Sequence, residues 1–475
     1  MPEGYETVIG LEVHCELSTA TKLFCSCANA FGAEPNTNVC PVCLGLPGSL
    51  PVLNRRAVEF AMRIGLALGC TVQPSIFHRK NYFYPDMPKD YQISQYDEPI
   101  NVRGSLELPD GSSVGIERAH IEEDTGKTTH IGGGGGRIHG ADYSMVDYNR
   151  AGVPLVEIVS APDIRSAAQA RAYVAELRAI LVATGASDGR MEEGSLRVDA
   201  NVSVRPLGAT EYGTRCEVKN MNSLRSLVRA IDYEADRQAA LASAGERIVQ
   251  ETRHFDENQG RTYSLRSKEE AYDYRYFPEP DLVPVIPDDS LMAGAHAGVG
   301  LMPVERRHRL GELVGSDGVT DQIQTVIEHD LDELVLGAVR AGAEARLALA
   351  RTANEAAAKA EGARSLDPER FADLLKMEAG GKLSATQAKT VLAELIDVPG
   401  SEAGDVARRL GFEAMESSEI DSIVDGIIAA NPGEWARYLE GDPKVAQFLL
   451  GQVMKATKGR ANGKLVAEAF AARKG

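Results

Sequence analysis

No run of eighteen apolar residues occurs in the sequence, so a membrane-spanning helix is not expected. The first residues, MPEGYETVIG, lack a basic stretch followed by an apolar one, so no secretory signal is expected and a cytoplasmic location is. Basic residues are too few to balance the acids: 51 Lys and Arg stand against 69 Asp and Glu, for a net charge of −18 at pH 7. So acidic a chain is not a general polyanion binder, and contact with nucleic acid would need a local basic patch or a bound cation. Cysteine is absent after Cys216, and a disulfide framework would require export, which nothing in the sequence indicates. The low-complexity run from Gly132 to Gly136, followed by Arg137, has no strand leading directly into it and no Gly-Lys-Ser/Thr after it. That excludes a P-loop and leaves a loop insertion.

What is present is an ordinary globular composition, 43% hydrophobic and 25% charged over 475 residues, enough for two to four domains. The character changes near residue 288. Before it come β-branched alternation, glycine turns and aromatic clusters; after it Ala, Leu and Glu dominate. Residues 277–288 hold four prolines, which stop helices and favour an extended connection, so a domain boundary is placed there. Ile9, Leu11, Val13, Cys15 and Leu17 alternate with Gly10, Glu12, His14 and Glu16, the pattern of a strand with one buried face. Residues 196–204 repeat it, with 214–219 as a hairpin partner. Ser166 and Ser223 are placed to cap helices that stop at Gly185 and near Gly245, so this part reads as α+β with largely antiparallel pairing. Residues 366–377, 385–396 and 417–430 carry helical apolar stripes, and the second part reads as all-α.

Four constellations carry chemistry. Cys25-Ser-Cys27, twelve residues and Cys40-Pro-Val-Cys43 bring two thiol pairs close along the chain. Four thiolates suit tetrahedral zinc and leave no position for substrate, so the site reads as structural; four free thiols packed in a core are the alternative. Glu12 and His14 share a strand face about 7 Å apart. Ile121-Glu-Glu-Asp-Thr-Gly126 crowds three acids before a glycine, and Glu157 interrupts the apolar run 153–159, where burial without a partner is costly. Oxygens plus an imidazole suit Mg²⁺ or Mn²⁺. His78-Arg79-Lys80-Asn81-Tyr82-Phe83-Tyr84 suits a phosphate or nucleic-acid contact with stacking nearby, or else an aromatic edge strand. The polar face of 196–204, with Glu217, Lys219, Asn220 and Asn222, lines a cleft or is a solvated face.

Six motifs then fall in one order: Gly10-Leu-Glu-Val-His14, residues 79–86, Tyr91-Gln-Ile-Ser-Gln95, Glu122-Glu-Asp-Thr-Gly-Lys127, Glu192-Glu-Gly-Ser-Leu-Arg197 and residues 273–281. Together they resemble the B-subunit family of the tRNA-dependent amidotransferases, and the likeness runs to the ending Gly451–Gly459. The resemblance implies a mixed, mainly antiparallel cradle domain over 1–290 with a zinc loop at 25–43, a helical domain over 291–404 and a YqeY-like tail over 405–475. It implies ATP-dependent phosphorylation of the side-chain carboxylate of Glu-tRNA(Gln) or Asp-tRNA(Asn). Ammonia from glutamine would be supplied by an amidase partner (GatA), in a complex completed by a small third chain (GatC). Magnesium would fall to Glu12, His14, Glu123 and Glu157, zinc to Cys25, Cys27, Cys40 and Cys43, a catalytic charge to Lys80, and ATP to Ser195, Arg197, Asp199, Lys219 and Asn220. Residues 452–475 hold six bases against Glu468, and Lys455, Lys458, Arg460 and Lys464 are assigned to the tRNA body. A non-catalytic tRNA scaffold and a metal-dependent nuclease are the rival functions.

Overall fold

Alternating residues build the central strand β1 (Tyr5–Glu16), in which Ile9, Leu11, Val13 and Cys15 are fully buried while Gly10, Glu12, His14 and Glu16 lie on the other, half-buried face. The computed structural model describes residues 4–132, 140–267, 274–315, 319–412, 417–440, 443–457, 461 and 463–473. These divide into two units, Met1–Val304 and Glu305–Gly475. Most of the glycine-rich insertion at 132–139 lies outside the described residues. No helix of the described residues is long and apolar enough to cross a membrane.

In the first unit the strands after β1 are β2 (Thr71–Val72), β3 (His78–Asn81), β4 (Tyr91–Ser94), β5 (Asn101–Glu107), β6 (Ser113–Glu123), β7 (Lys127–Ile131) and β8 (Tyr143–Asp147). They continue with β9 (Pro154–Ser160), β10 (Leu196–Pro206), β11 (Cys216–Lys219), β12 (Glu251–Asp256), β13 (Arg261–Ser267) and β14 (Phe277–Pro278). Nine form one sheet in the order β13-β12-β11-β10-β1-β9-β6-β5-β2, antiparallel except for the β11–β12 pair. A small sheet β14-β3-β4 and a hairpin β7-β8 complete the set.

Helices α1 (Arg55–Ala67), α2 (Ala167–Ala183) and α3 (Leu224–Ser243) pack their apolar stripes into the same core as the inward residues of β1, β6, β9 and β10. Their starts follow from short polar side chains that accept orphan amide protons: Asn54 from Arg56 N–H, Ser166 from Gln169 N–H and Ser223 from Ser226 N–H. Removing a side chain such as Leu11 from this core would cost about 2–5 kcal/mol.

The proline-rich segment is extended, as expected, but it is not a free linker. β14 pairs with β3, Ser75 and Val285 exchange backbone hydrogen bonds, and Arg79 holds Glu279 through two bonds of 2.7 and 2.9 Å. The helix that follows, α4 (Asp289–Ala297), sends Leu291 and Ala295 into the first core. The first unit therefore runs past the boundary expected at residue 290, because apolar residues beyond the prolines find their partners on α1.

The second unit is helical in its described residues, and the expected helices occur as Pro368–Ala379, Ala385–Asp397 and Ser417–Ala430. Its buried apolar residues form two clusters, one drawn from residues 310–407 and one from 420–470.

Candidate active site and metal centres

Strand register sets the site. β1 pairs with β10 so that Glu12 opposes Asp199 and His14 opposes Arg197; on its other side β9 brings Glu157 opposite His14. β9 in turn pairs with β6, placing His120 opposite Glu157 and Glu122 opposite Leu155. Opposed residues share a sheet face, so Arg197, His14, Glu157 and His120 form a row across four strands, with Glu122 two residues along from His120. His14 Nε2 lies 3.5 Å from Glu122 Oε1 and 3.6 Å from Glu157 Oε2, and His120 Nε2 lies 3.3 Å from that same Glu157 oxygen. Glu122 and Glu157 are both buried.

Glu123, expected beside His14, is elsewhere. β6 runs through Glu123, so the two-residue period turns Glu123 to the opposite face from Glu122. There it accepts the Ile93 N–H at 2.9 Å and pairs with the Lys89 ammonium. Glu12 also separates from His14, into a second cluster in which ligand atoms of Glu12, Asp199 and Glu217 lie within 4.8 Å of one another. Glu12 accepts from Asn201 at 2.9 Å, and Lys219 Nζ stands 2.5 Å from Asp199 and 3.0 Å from Glu217, so this cluster already contains a cation. The four expected magnesium ligands are thus split three ways, and His14, Glu122 and Glu157 are the set that converges.

The electrostatics of that set call for positive charge. Burial opposes a proton on His14, but Glu157 and Glu122 outweigh it and raise the imidazole to about 9. Burial alone would raise Glu157, yet His120 and His14 hold it well below the usual carboxylate range. Glu12 is raised, by burial first and then by Glu157 and Glu217; Glu16 rises to about 7 through burial and Asp124. Ligands about 2.1 Å from an octahedral Mg²⁺ stand about 3 Å apart. The 3.5 and 3.6 Å spacings are within about half an ångström of that, so two carboxylates and an imidazole fit a hard divalent cation.

Of the three bases in the His78–Lys80 run, only Lys80 answers to this cluster. His78 is buried 3.1 Å from Asp97, and Arg79 is bound to Glu279. Lys80 Nζ lies 5.0 Å from the centre of the Tyr274 ring; burial works against its charge, but Glu122, Tyr276 and Glu157 raise its pKa. The aromatics beside it contact one another, with Tyr96 and Tyr276 stacked at 4.2 Å and Tyr82 edge-on to Tyr274.

The residues assigned to ATP divide. Arg197, Asp199 and Lys219 lie on the face that carries His14, although Arg197 is held by Asp124 at 2.7 Å and Lys219 by Asp199. Ser195 instead donates to Asp188 and accepts the Arg190 N–H at 3.0 Å, tying its own loop. Asn220, in a left-handed conformation at φ 71°, spends its amide on the Phe255 carbonyl at 3.1 Å.

The four cysteines of the 25–43 loop come together. Cys43 Sγ lies 3.4 Å from Cys25, 3.6 Å from Cys40 and 3.8 Å from Cys27. Four sulfurs 2.3 Å from a tetrahedral zinc stand about 3.8 Å apart, so the quartet fits the ion closely. The buried Lys22 ammonium sits 3.5 Å from Cys43 Sγ; the Cys25 hydrogen bond and, after it, Lys22 lower the Cys43 thiol. Gly45 makes the turn behind it: at φ +63° a Cβ there would meet Lys89 Cγ at 2.4 Å.

In the second unit Lys455 is exposed on the helix Pro443–Ala456. Lys458 and Arg460 lie outside the described residues, as does the side chain of Lys464 on the helix Gly463–Ala472. Arg473, one of the six bases in this segment, is bound to Asp421 at 2.9 Å and Asp425 at 2.5 Å.

Glu122 and His120 escaped selection from sequence. The signal was present: His120 and Glu122 alternate with the apolar Ala119 and Ile121, which are both fully buried.

Comparison with known proteins was informative over nearly the whole chain. Residues 7–293 match the family described as the GatB/GatE catalytic domain, and residues 333–473 match one described as the GatB domain, which spans both helical parts that the sequence divided at residue 405. The chain is 49% identical to the aspartyl/glutamyl-tRNA(Asn/Gln) amidotransferase B subunit of Mycobacterium sp. (strain KMS), over 98% of its own length and 95% of the relative's. Proteins of the same name from Moorella thermoacetica and Salinispora arenicola are 48% and 49% identical, covering 97% and 99% of this chain and 98% and 97% of theirs.

Proposed function

This chain belongs to the family of aspartyl/glutamyl-tRNA(Asn/Gln) amidotransferase B subunits, glutamine-hydrolysing ligases, and from that premise we propose that its sheet face phosphorylates the side-chain carboxylate of a misacylated tRNA. The substrate is Glu-tRNA(Gln), Asp-tRNA(Asn) or both. The observation that supports this reading is the meeting of His14, Glu122 and Glu157 on one face, with the two carboxylates among them, Glu122 and Glu157, favouring the charge of Lys80.

A carboxylate is a poor electrophile. In the reaction one of its oxygens attacks the γ-phosphorus of ATP and ADP departs; ammonia then attacks the acyl carbon and inorganic phosphate leaves with the bonding pair. Transfer of this kind needs positioning and charge neutralisation more than covalent help from the protein. His14, Glu122 and Glu157 would hold magnesium, which supplies positive charge to the phosphates. Lys80 contributes a second, fixed positive charge beside them and orients the transferring group. Arg197 ends the row on β10 and Lys219 lies beyond it on β11, each paired to a carboxylate, Asp124 and Asp199.

Ammonia comes from glutamine hydrolysed in the amidase partner (GatA), with a small third chain (GatC) completing a heterotrimer in the cytoplasm. A zinc at the cysteine quartet orients the 25–43 loop near the acceptor end of the tRNA. Residues 405–475 serve as a tRNA-binding tail; the separate apolar cluster in it begins at Ile420, since Val406 and Ala407 pack into the 310–407 cluster. The reading is tested by reconstituting the chain with its partner subunits and asking for ADP formation that depends on misacylated tRNA. ATP- and glutamine-dependent Gln-tRNA or Asn-tRNA is expected; a complex that binds tRNA and turns over no ATP, or that cleaves the tRNA, would contradict it.

A further inference from the structure

We propose that His120 is a positioning residue of the cation site: it holds the Glu157 carboxylate in the orientation that meets His14 and Glu122. The inference rests on the cation reading of those three residues.

His120 is 4% exposed, a costly place for an imidazole unless it is used. The strand register sets it directly opposite Glu157, and its Nε2 lies 3.3 Å from Glu157 Oε2. Its Nδ1 has no hydrogen-bond partner among the described residues, so nothing on that side holds the ring by a polar contact. Glu157 is flanked on its other side by His14, also a direct cross-strand neighbour. A glutamate side chain has several rotatable bonds, and ordering one costs free energy. With His14 committed to a cation, a second fixed donor is needed to keep the carboxylate turned toward it. An N–H at His120 Nε2 provides this in the neutral ring as well as in the charged one, so the role does not depend on titration. Glu122 has its own, weaker tether in Ser94 Oγ at 3.5 Å. Outer partners of this kind orient ligating carboxylates, and losing one typically weakens metal binding about 10–100-fold.

The test uses the full chain with its partner subunits and Mn²⁺ as the probe. Free Mn²⁺ is followed by electron paramagnetic resonance, and nitrogen couplings to the bound ion identify its ligands. His120→Leu should weaken Mn²⁺ binding about 10–100-fold with zinc content unchanged. His120→Gln, which can place an amide N–H near the position of Nε2–H, should restore binding to within about threefold of wild type. Wild type and His120→Gln should both show a single nitrogen coupling, lost in His14→Ala. If His120→Leu binds Mn²⁺ as wild type while His14→Ala does not, the positioning role is wrong and the cation site stands. If His14→Ala also binds normally, the site itself is wrong. If His120→Leu does not fold, the glutamine variant decides: folded protein with tenfold weaker binding overturns the role. Two nitrogen couplings in wild type would make His120 a ligand and overturn it too.

Discussion

Glu122 and Glu123, adjacent in sequence, point to opposite faces of one strand: Glu122 stands 3.5 Å from His14 Nε2, while Glu123 accepts the Ile93 N–H and neutralises Lys89. One carboxylate therefore faces the proposed chemistry and the other braces the fold beneath it. Their substitution should separate the two roles.

Glu123→Gln keeps an acceptor for Ile93 N–H but removes the counter-charge of Lys89, whose side chain is 9% exposed. Breaking a buried pair on one side costs about 3–5 kcal/mol, and the retained hydrogen bond should bring this to about 2–3 kcal/mol. Urea unfolding of the variant, followed by a probe in the first unit, measures it. The double change Lys89→Met with Glu123→Gln should recover part of the loss, since no charge is then left buried alone. A single variant as stable as wild type would mean that the pair is not buried in solution.

The cysteine quartet should hold about one zinc per chain, by metal analysis of the purified protein. Cys43→Ser should lose it, because Cys43 is the sulfur that all three others approach within 3.8 Å. Phosphorylation activity should fall less than tRNA affinity in that variant, as the loop orients substrate without donating a group to the reaction. Freely reactive thiols at the half-buried Cys25, Cys27 and Cys40 in native wild-type protein would count against a metal there.

Lys455 and Arg473 should behave differently toward tRNA, although both lie in the basic C-terminal segment. Arg473 is bound to Asp421 and Asp425, so its charge is already compensated; Lys455 is exposed. Removing one phosphate-binding charge should lower the magnitude of the salt slope of binding by about one. Lys455→Ala should show that change in a titration of tRNA affinity against salt, and Arg473→Ala should leave the slope nearly unaltered. Deleting residues 417–475, which leaves the 310–407 cluster whole, should weaken tRNA binding and flatten the slope further, with glutaminase activity of the complex retained. Equal slopes for all three proteins would remove the tail from tRNA recognition.

The legible parts of the fold are those with one wet face. β1 and β10 alternate because one side packs against helices and the other carries polar residues, and the helix starts at Ser166 and Ser223 show because a short hydroxyl side chain does the capping. β9 is buried on both faces at almost every position, so Glu157 shows only as a polar interruption in an apolar run. The choice between Glu122 and Glu123 depends on how far β6 continues, which is decided by pairing with β9 more than thirty residues away. The prolines at 277–288 signal extension, but not that the segment is stitched to β3 across about two hundred residues of sequence, as the Arg79–Glu279 pair is. Long-range pairing of this sort leaves no local periodicity to read.

The central claim is that His14, Glu122 and Glu157, without Glu123, hold the cation on which carboxylate activation depends. The most direct measurement is a Mn²⁺ titration by electron paramagnetic resonance on Glu122→Gln and Glu123→Gln, each in the reconstituted complex, with glutaminase activity as a check on integrity. Glu122→Gln should lose tight Mn²⁺ binding and tRNA-dependent ADP formation while glutaminase activity persists, and Glu123→Gln should bind Mn²⁺ within about threefold of wild type despite its lower stability. Tight binding retained in Glu122→Gln and lost in Glu123→Gln would contradict the account.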